Sequence, residues 1–503
     1  MIEAYLQMRY INRQNKQMLY FRVLPEAGGR TEMTRTDVLI IGAGLLGCFT
    51  ARNLKRYNID VIVLEKENDV CRGISKANTG IIYSGYNNRP GTLKQKLCVQ
   101  ANGDFDELCQ ELEVPFRRPG SLMIGYGPVS DEIIARKFRD GMRGGVKGLK
   151  MLDGKEAEEM EPALAHGITS ALLSTETGTI DPWDLCIAAY ENAACNGAEF
   201  RFGSKVTDIR REDGGFFTES SDGTYYSKVI VNTAGLSSDR IREMTEKPLI
   251  RLFPSAADYI VMDRSCGSIV DHIILHEGED GKGLTLVPTA DGNLLVGPTN
   301  REPDEEAVYV QEMRTDSDGL GLLKELCAEV VPDLDMTKQI RTFGSLRPDP
   351  YYVVSDGDDV VRQEKGIRDI RIIEEDGLFS LIGIKTPGLT FSNALGMQIA
   401  DRAASCAGRT GNNPDFDPHR KAIIRARDLT DEELAALIEK DSSYGEIVCP
   451  CMHVTESEVL QAAERGAHDI ESVKRRTGAG FGRCQGSRCR RRIMDILAKG
   501  DQQ

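Results

Sequence analysis

Four cysteines stand close together near the end of this 503-residue chain: Cys449 and Cys451 in "CPC", then Cys484 and Cys489 in "CQGSRC". Their pattern is C-x-C, an interval of 32 residues, and C-x4-C. Four thiolates can hold zinc or an iron–sulfur cluster. Structural zinc sites favour C-x2-C knuckles, and neither pair has that spacing. The other nine cysteines (Cys48, Cys71, Cys98, Cys109, Cys186, Cys195, Cys266, Cys327 and Cys406) are dispersed. They read as small buried hydrophobes, reduced rather than paired.

A second concentration of chemistry lies near the start, in "TDVLIIGAGLLGCFTARNLKRYNIDVIVLEKE". Residues 38–41 are a continuous apolar run, as in a strand buried on both faces of a parallel sheet. The run enters Gly42-Ala43-Gly44-Leu45-Leu46-Gly47, and a helical pattern follows to about residue 56. A second apolar run, 61–64, ends at Glu65 and Lys66. Gly42 permits the tight turn, Gly44 lets the backbone approach a pyrophosphate, and Gly47 lets helix and strand pack closely. The helix N-terminus offers N–H groups and a positive dipole end to phosphates. Glu65, 18 positions after Gly47, is placed to accept hydrogen bonds from an adenosine ribose. Strand, turn, helix, second strand and acid in register make this a dinucleotide site.

The elements that must carry these groups follow from length and texture. The chain is too long for one ordinary core, so two or three domains are expected. Its 40% hydrophobic and 28% charged content is globular. A net charge of −15 argues against nucleic acid and anionic membrane as partners, and no apolar run is long enough for a membrane span. Residues 1–34 lack a secretory pattern and read as a disordered extension or an over-long start with Met33 as the true one, a transit peptide being the alternative. A cytoplasmic location follows. The stretch 251–345 alternates apolar and polar residues ("DYIVMD", "HIILHE", "LTLVPTADGNLLVGP"), with Asp291-Gly292-Asn293 as a hairpin turn. Residues 407–445 form a polar linker in which Thr430 and Glu433 open a short helix by a capping box; Thr455 and Glu458 repeat the device in the final segment.

The segment "ISKANTGIIYSGYNNRPGTLKQKLC" (74–98) resembles the D-amino-acid-oxidase-like superfamily of FAD-dependent oxidoreductases. The resemblance implies an α/β fold: a Rossmann-like FAD domain of the glutathione-reductase type over 35–250 and 346–406, with an inserted mixed-sheet substrate domain over 251–345. It places Ser75, Asn78, Thr79 and Gly80 against the flavin ring. Tyr83-Ser84-Gly85 stands where relatives usually have His-Ala/Ser-Gly. "VIVNTAGLSSDRI" is similar to the second FAD-contacting turn, at Thr233, Ala234 and Gly235, and Lys205 and Val206 to the strand whose backbone reads the adenine. "IGIKTPGLTFSNALGMQIAD" is similar to the turn facing the flavin pyrimidine, at Gly383, Gly388, Leu389 and Thr390, where a helix dipole would stabilise negative charge. Arg347 in "FGSLRPDP" matches the family's arginine for a substrate carboxylate or phosphate, a task suited to a guanidinium fork. Lys385 is a second cation for that task. His272 and Tyr83 are the two candidates for the base.

Residues 446–503 closely resemble the bacterioferritin-associated-ferredoxin-like [2Fe–2S] domain, down to Gly482-Arg483-Cys484-Gln485-Gly486. That domain also closes the large subunit of anaerobic glycerol-3-phosphate dehydrogenases, and 2-hydroxyglutarate oxidases resemble the front module. Ten Lys/Arg against eight Asp/Glu give this segment a net charge of +2, and cations near a reduced cluster raise its potential. The implied protein is a fused FAD dehydrogenase whose electrons leave through a [2Fe–2S] cluster to an acceptor protein or a quinone-linked subunit. The expected substrate is small and anionic: glycerol 3-phosphate first, then a 2-hydroxy acid, then an amino or imino acid. A redox-sensing or electron-transfer subunit that catalyses nothing is the competing class.

Overall fold

The computed structural model describes residues 9–12, 17–20, 33–276, 283–356 and 359–500. It comprises two compact units, one of residues Arg35–Pro418 and the other formed by the chain on either side. Most of the stretch expected to be a disordered extension lies outside the described residues. Within it, Arg9–Asn12 and Gln17–Tyr20 pair antiparallel, an element the sequence reading had not foreseen.

The first sheet of the large unit is the expected dinucleotide-binding layer. Its strands run in the order 199–201, 61–64, 34–41, 223–232, 215–220 and 206–212, and 378–382 pairs with 223–232. The strands Thr34–Ile41, Val61–Leu64 and Glu199–Arg201 are mutually parallel neighbours. The apolar run of the first strand divides by parity. Val38 and Ile40 join a core with helices Leu45–Leu54, Pro182–Cys195 and Gly388–Cys406, whereas Leu39 and Ile41 join Phe216 and Ile230 on the other face. A strand covered on both faces must be apolar at every position.

The second sheet has eight strands among the described residues, in the order 339–347, 255–262, 294–296, 284–288, 273–276, 121–125, 170–174 and 149–153. It is mixed: Ile273–His276 runs parallel to Ser121–Gly125, and its other neighbours are antiparallel. Thr289–Asn293 closes the anticipated hairpin, with Gly292 at φ 85°. The boundary drawn at residue 251 needs correction. Three of the strands, 121–125, 149–153 and 170–174, come from inside the range assigned to the FAD domain, so the substrate sheet is assembled from two separate stretches of chain.

The C-terminal part of the small unit is helical, with a short ladder of its own among the described residues. Ile447–Cys449 pairs with Val454–Thr455, and helices Glu456–Glu464, Ile470–Thr477 and Arg490–Gly500 follow. Both capping boxes are present, at Thr430 with Glu433 and at Thr455 with Glu458. Val454, Val459, Ala462, Val473 and Ile493 form its core beside Cys449 and Cys489.

Candidate active site and cysteine centre

The glycine turn is built for close approach. Gly42 has φ 101°, and a Cβ there would lie 2.7 Å from Thr233 O. A Cβ on Gly47 would lie 2.0 Å from Gly42 O and 2.8 Å from Thr233 Oγ1. Thr233 Oγ1 donates to Ile41 O and Gly42 O, 3.0 Å each, so the turns at 42–47 and 233–235 are tied together. Gly44, at the N-cap of helix Leu45–Leu54, gives no side chain to the first-turn amides; Ser75 Oγ accepts from Leu45 N at 3.2 Å. Glu65 Oε2 accepts from Ala43 N at 2.7 Å and Oε1 from Glu67 N at 2.9 Å. Burial raises the Glu65 carboxyl above its ordinary range against the pull of these amides. This side chain therefore braces the turn and keeps lone pairs for ribose hydroxyls. The cradle fits FAD.

The loop carrying Ser75, Asn78, Thr79 and Gly80 holds its own shape. Asn78 Nδ2 donates to Ser75 O and Asn78 Oδ1 accepts from Gly80 N, both at 2.9 Å. Just past the short strand Ile81–Ile82 that follows, Tyr83 N donates to Thr390 Oγ1 at 3.0 Å. That bond joins the loop to the N-terminus of helix Gly388–Cys406, whose N-cap Pro387 likewise offers no side-chain cap. Gly388 N donates to Lys385 O at 2.7 Å. The structure thus brings the separate pieces at 42–47, 75–80, 233–235 and 388–390 into one unit. Val206 opens the strand that ends the same sheet, and Gly383 has φ 74°, where a Cβ would strike Pro350.

One face of the second sheet meets this loop. Ala257, Tyr259, Ile273, Val287 and Leu295 cluster with Ile81, and Tyr83 and Phe343 pack on them. Tyr259 and Phe343 stack, with ring centroids 4.6 Å apart. Arg347, at the end of strand Gln339–Arg347, donates to Thr299 O at 3.0 Å and Asn300 Oδ1 at 3.3 Å, and bonds the Tyr259 hydroxyl. Five guanidinium donors leave others for a substrate oxyanion. Lys385 forms an ion pair with Asp349, which also accepts from Ser255 Oγ at 2.5 Å. Lys94, not singled out by sequence, lies in the electrostatic reach of Lys385, Asp369 and Asp349; burial and then Lys385 lower its pKa. Its only sequence signal is the i, i+4 pairing with Cys98, whose thiol donates to Tyr83 O at 3.2 Å.

The structure favours neither candidate for the base. Ile273, the first residue of its strand, joins the Tyr83 cluster, whereas His272 stands in the bend just before that strand. There His272 Nδ1 and N each lie 2.7 Å from Glu161 Oε1, a carboxylate only 2% exposed. His272 is a partner of this buried acid. Tyr83 is on the right face, but burial pushes its phenol up to about 12, while Thr79 bonds its hydroxyl. A base needs the opposite shift.

None of the thirteen cysteines is in a disulfide. The clustered four stand as two pairs, Cys449 with Cys489 and Cys451 with Cys484. Among the described residues no group of three or more His, Cys, Asp or Glu closes on a single ion position. Two pairs suit a cluster of two irons, each taking two thiolates. The Cys489 thiol and then, against burial, the amides of Gly480, Met452 and Cys451 pull Cys449 down to about 6. In the second pair burial opposes ionisation of Cys484, and the Cys451 thiol with the amides of Arg488 and Gly486 outweighs it. A Cβ on Gly482 would lie 2.5 Å from Cys451 Cβ, so glycine there permits the close loop. Thiolates that accept amide N–H bonds are what such a cluster requires.

A glycine turn shaped for a pyrophosphate at the edge of a parallel-stranded layer, with a paired-cysteine module later in the chain, is the build of an FAD-dependent oxidoreductase with an iron–sulfur centre. The chain belongs to the FAD dependent oxidoreductase family, matched over residues 37–402. Residues 447–499 match the BFD-like [2Fe-2S] binding domain; FAD and a [2Fe–2S] cluster are its cofactors. It is 36% identical to the glycerol 3-phosphate dehydrogenase of Caloramator mitchellensis, over 92% of this chain and 94% of the relative. It is 27% identical to the L-2-hydroxyglutarate dehydrogenase of Indibacter alkaliphilus, over 47% of this chain and 60% of that one. The fold is that of the L-alpha-glycerophosphate oxidase of Mycoplasma pneumoniae with FAD bound, at TM-score 0.67 and 23% identity, covering 77% of this chain and 99% of the oxidase. Among the described residues no helix is long and apolar enough to cross a membrane.

Proposed function

We propose that this flavoprotein is a dehydrogenase of glycerol 3-phosphate that delivers its electrons through the [2Fe–2S] module to a separate acceptor protein or quinone-linked subunit. The observation that carries the reading is the cationic lining near Tyr83, with Arg347 acting on that phenol and Lys385 and Lys94 set beside each other among Asp349 and Asp369. A phosphate dianion calls for more positive charge than a carboxylate. The relative from Caloramator, aligned through both modules, supports the same substrate.

FAD, when bound, accepts a hydride from a carbon bearing the hydroxyl, and a flavin can release two electrons singly to an iron–sulfur centre. The protein's own part is positional. Arg347, fixed by Thr299 and Asn300, presents its remaining donors to the oxyanion as a fork. Lys385 and Lys94 add point charges. Ile273, Tyr259, Phe343 and Tyr83 wall the reacting carbon from water. A 2-hydroxy acid is the second reading, favoured by the similarity to the Indibacter enzyme in the flavin module. Anaerobic mixing with each compound decides between them. Glycerol 3-phosphate is expected to bleach the flavin within seconds; bleaching by 2-hydroxyglutarate alone would transfer the assignment, and bleaching by neither would refute a dehydrogenase of this class.

A further inference from the structure

Residues 301–316 leave the substrate sheet and return to it as a closed arm. Both ends are tied to one fully buried carboxylate. Asp258 accepts from Arg301 Nε at 2.9 Å, from Arg301 Nη2 at 3.2 Å and from Asp316 N at 3.1 Å. Arg301 Nη2 also donates to Arg314 O at 3.1 Å, closing the neck. Beyond the neck, Asp304 caps the helix Glu305–Val310, which ends at Gln311 in the left-handed region, φ 56°. There the side chain bridges two parts of the FAD domain. Gln311 Oε1 accepts from Lys66 Nζ at 2.7 Å, and Gln311 Nε2 donates to Ser237 Oγ at 2.8 Å. Lys66 follows the ribose-directed Glu65, and Ser237 ends the turn that begins with Thr233.

We propose that residues 301–316 are a clasp over the adenosine end of the FAD site, with Gln311 as its latch. The neck at Asp258 is an ion pair within the substrate sheet, so the arm stays anchored while the latch opens. The latch itself is two partly exposed hydrogen bonds, the kind of contact that opens locally without global unfolding. FAD enters and leaves when they part. The proposal rests on the FAD site, not on the substrate, so its test uses no substrate.

Gln311→Gly removes the latch and suits the left-handed backbone. The holoprotein is diluted, and free FAD is followed by its fluorescence. Q311G is expected to release FAD about tenfold faster, the scale of one to two net hydrogen bonds, with iron and acid-labile sulfide unchanged. Tyr309→Ala, at a side chain 89% exposed on the same arm, is expected to release FAD at the wild-type rate. An unaltered rate in Q311G overturns the clasp. Hydrogen exchange of the wild type supplies a second reading that needs no variant. Amides of residues 305–311 are expected to exchange more slowly in holoprotein than in apoprotein, and equal exchange in the two overturns the proposal.

Discussion

Gly47 and Gly44 sit three residues apart in one turn, and the structure assigns them different physical duties. Gly47→Ala places a methyl 2.0 Å from Gly42 O, where ordinary van der Waals contact begins at 3.4 Å, a shortfall of 1.4 Å against backbone. The helix Leu45–Leu54 must withdraw from the turn, and overpacking of this severity costs about 3 kcal/mol. That loss falls on the apoprotein. Gly44→Ala differs: its φ is ordinary at −77° and its Cβ meets only Ser75 Oγ at 3.1 Å, an adjustable side chain. The methyl would instead stand where the pyrophosphate approaches. Loss of hydrogen bonds to a charged group is about 1.5–3 kcal/mol, or roughly 10- to 150-fold in FAD affinity. Denaturant unfolding of the two apoproteins and FAD titration of each are the measurements. G47A is expected to be destabilised before FAD is added, and G44A to unfold as wild type yet bind FAD weakly. Cluster iron, held in the other unit, is expected at wild-type content in both. Equal apoprotein stability of G47A and wild type, or destabilisation of G44A to the same degree as G47A, would refute this division of labour.

Arg347→Lys keeps the charge but loses the fork, and should raise KM for the anionic substrate about tenfold or more with an unchanged flavin spectrum. Tyr83 keeps its proton to about 12 because it is buried. Its raised pKa lends stability that is complete below the usual value near 10 and is lost as pH rises towards 12, so Tyr83→Phe should flatten that alkaline loss and leave the pH–rate profile between 6 and 9 unaltered. His272→Ala leaves the Glu161 carboxylate with fewer partners and should destabilise by about 1–3 kcal/mol, while single-turnover flavin reduction keeps its wild-type rate; a collapse of that rate would restore His272 as a base. Cys451→Ser should abolish bound iron and sulfide but retain FAD, so substrate still bleaches the flavin and transfer to the acceptor stops.

The parts of the site that lie within one local motif were legible in sequence. The turn at 42–47, its acid at Glu65 and the cysteine quartet are each fixed by a spacing that backbone geometry demands. The pieces at 75–80, 233–235 and 388–390 were legible through family resemblance, because no periodicity connects residues so far apart. The sheet boundary was not legible. Alternation in 251–345 announces strands, but it cannot announce that 121–125 inserts between 170–174 and 273–276. The partner of a strand is a tertiary fact. Lys94 was hidden for a similar reason: a lysine on a helix reads as solvated until the turn carrying Lys385 and the loop carrying Asp369 are folded against it.

The choice of a base shows how narrow the margin is between reading a strand and reading a site. His272 and Ile273 are adjacent, but Ile273 opens the strand and joins the cluster beside Tyr83, whereas His272, in the bend before it, bonds Glu161. Nothing in "DHIILH" says which face looks toward the flavin loop, because that depends on which side the FAD domain covers. Chemistry pointed to histidine at this position, and hydrogen bonds from its backbone and ring hold it on Glu161. Tyr259 illustrates the converse. It reads as a core aromatic in an apolar strand, yet its parity puts it on the same side as Ile273, stacked on Phe343 with its hydroxyl at Arg347. Its position orients the guanidinium of Arg347, the one proposed to grip the oxyanion. Residue type nominates candidates for such a site, but the parity of each strand relative to the cofactor layer selects among them, and parity becomes known only when the two sheets are placed face to face.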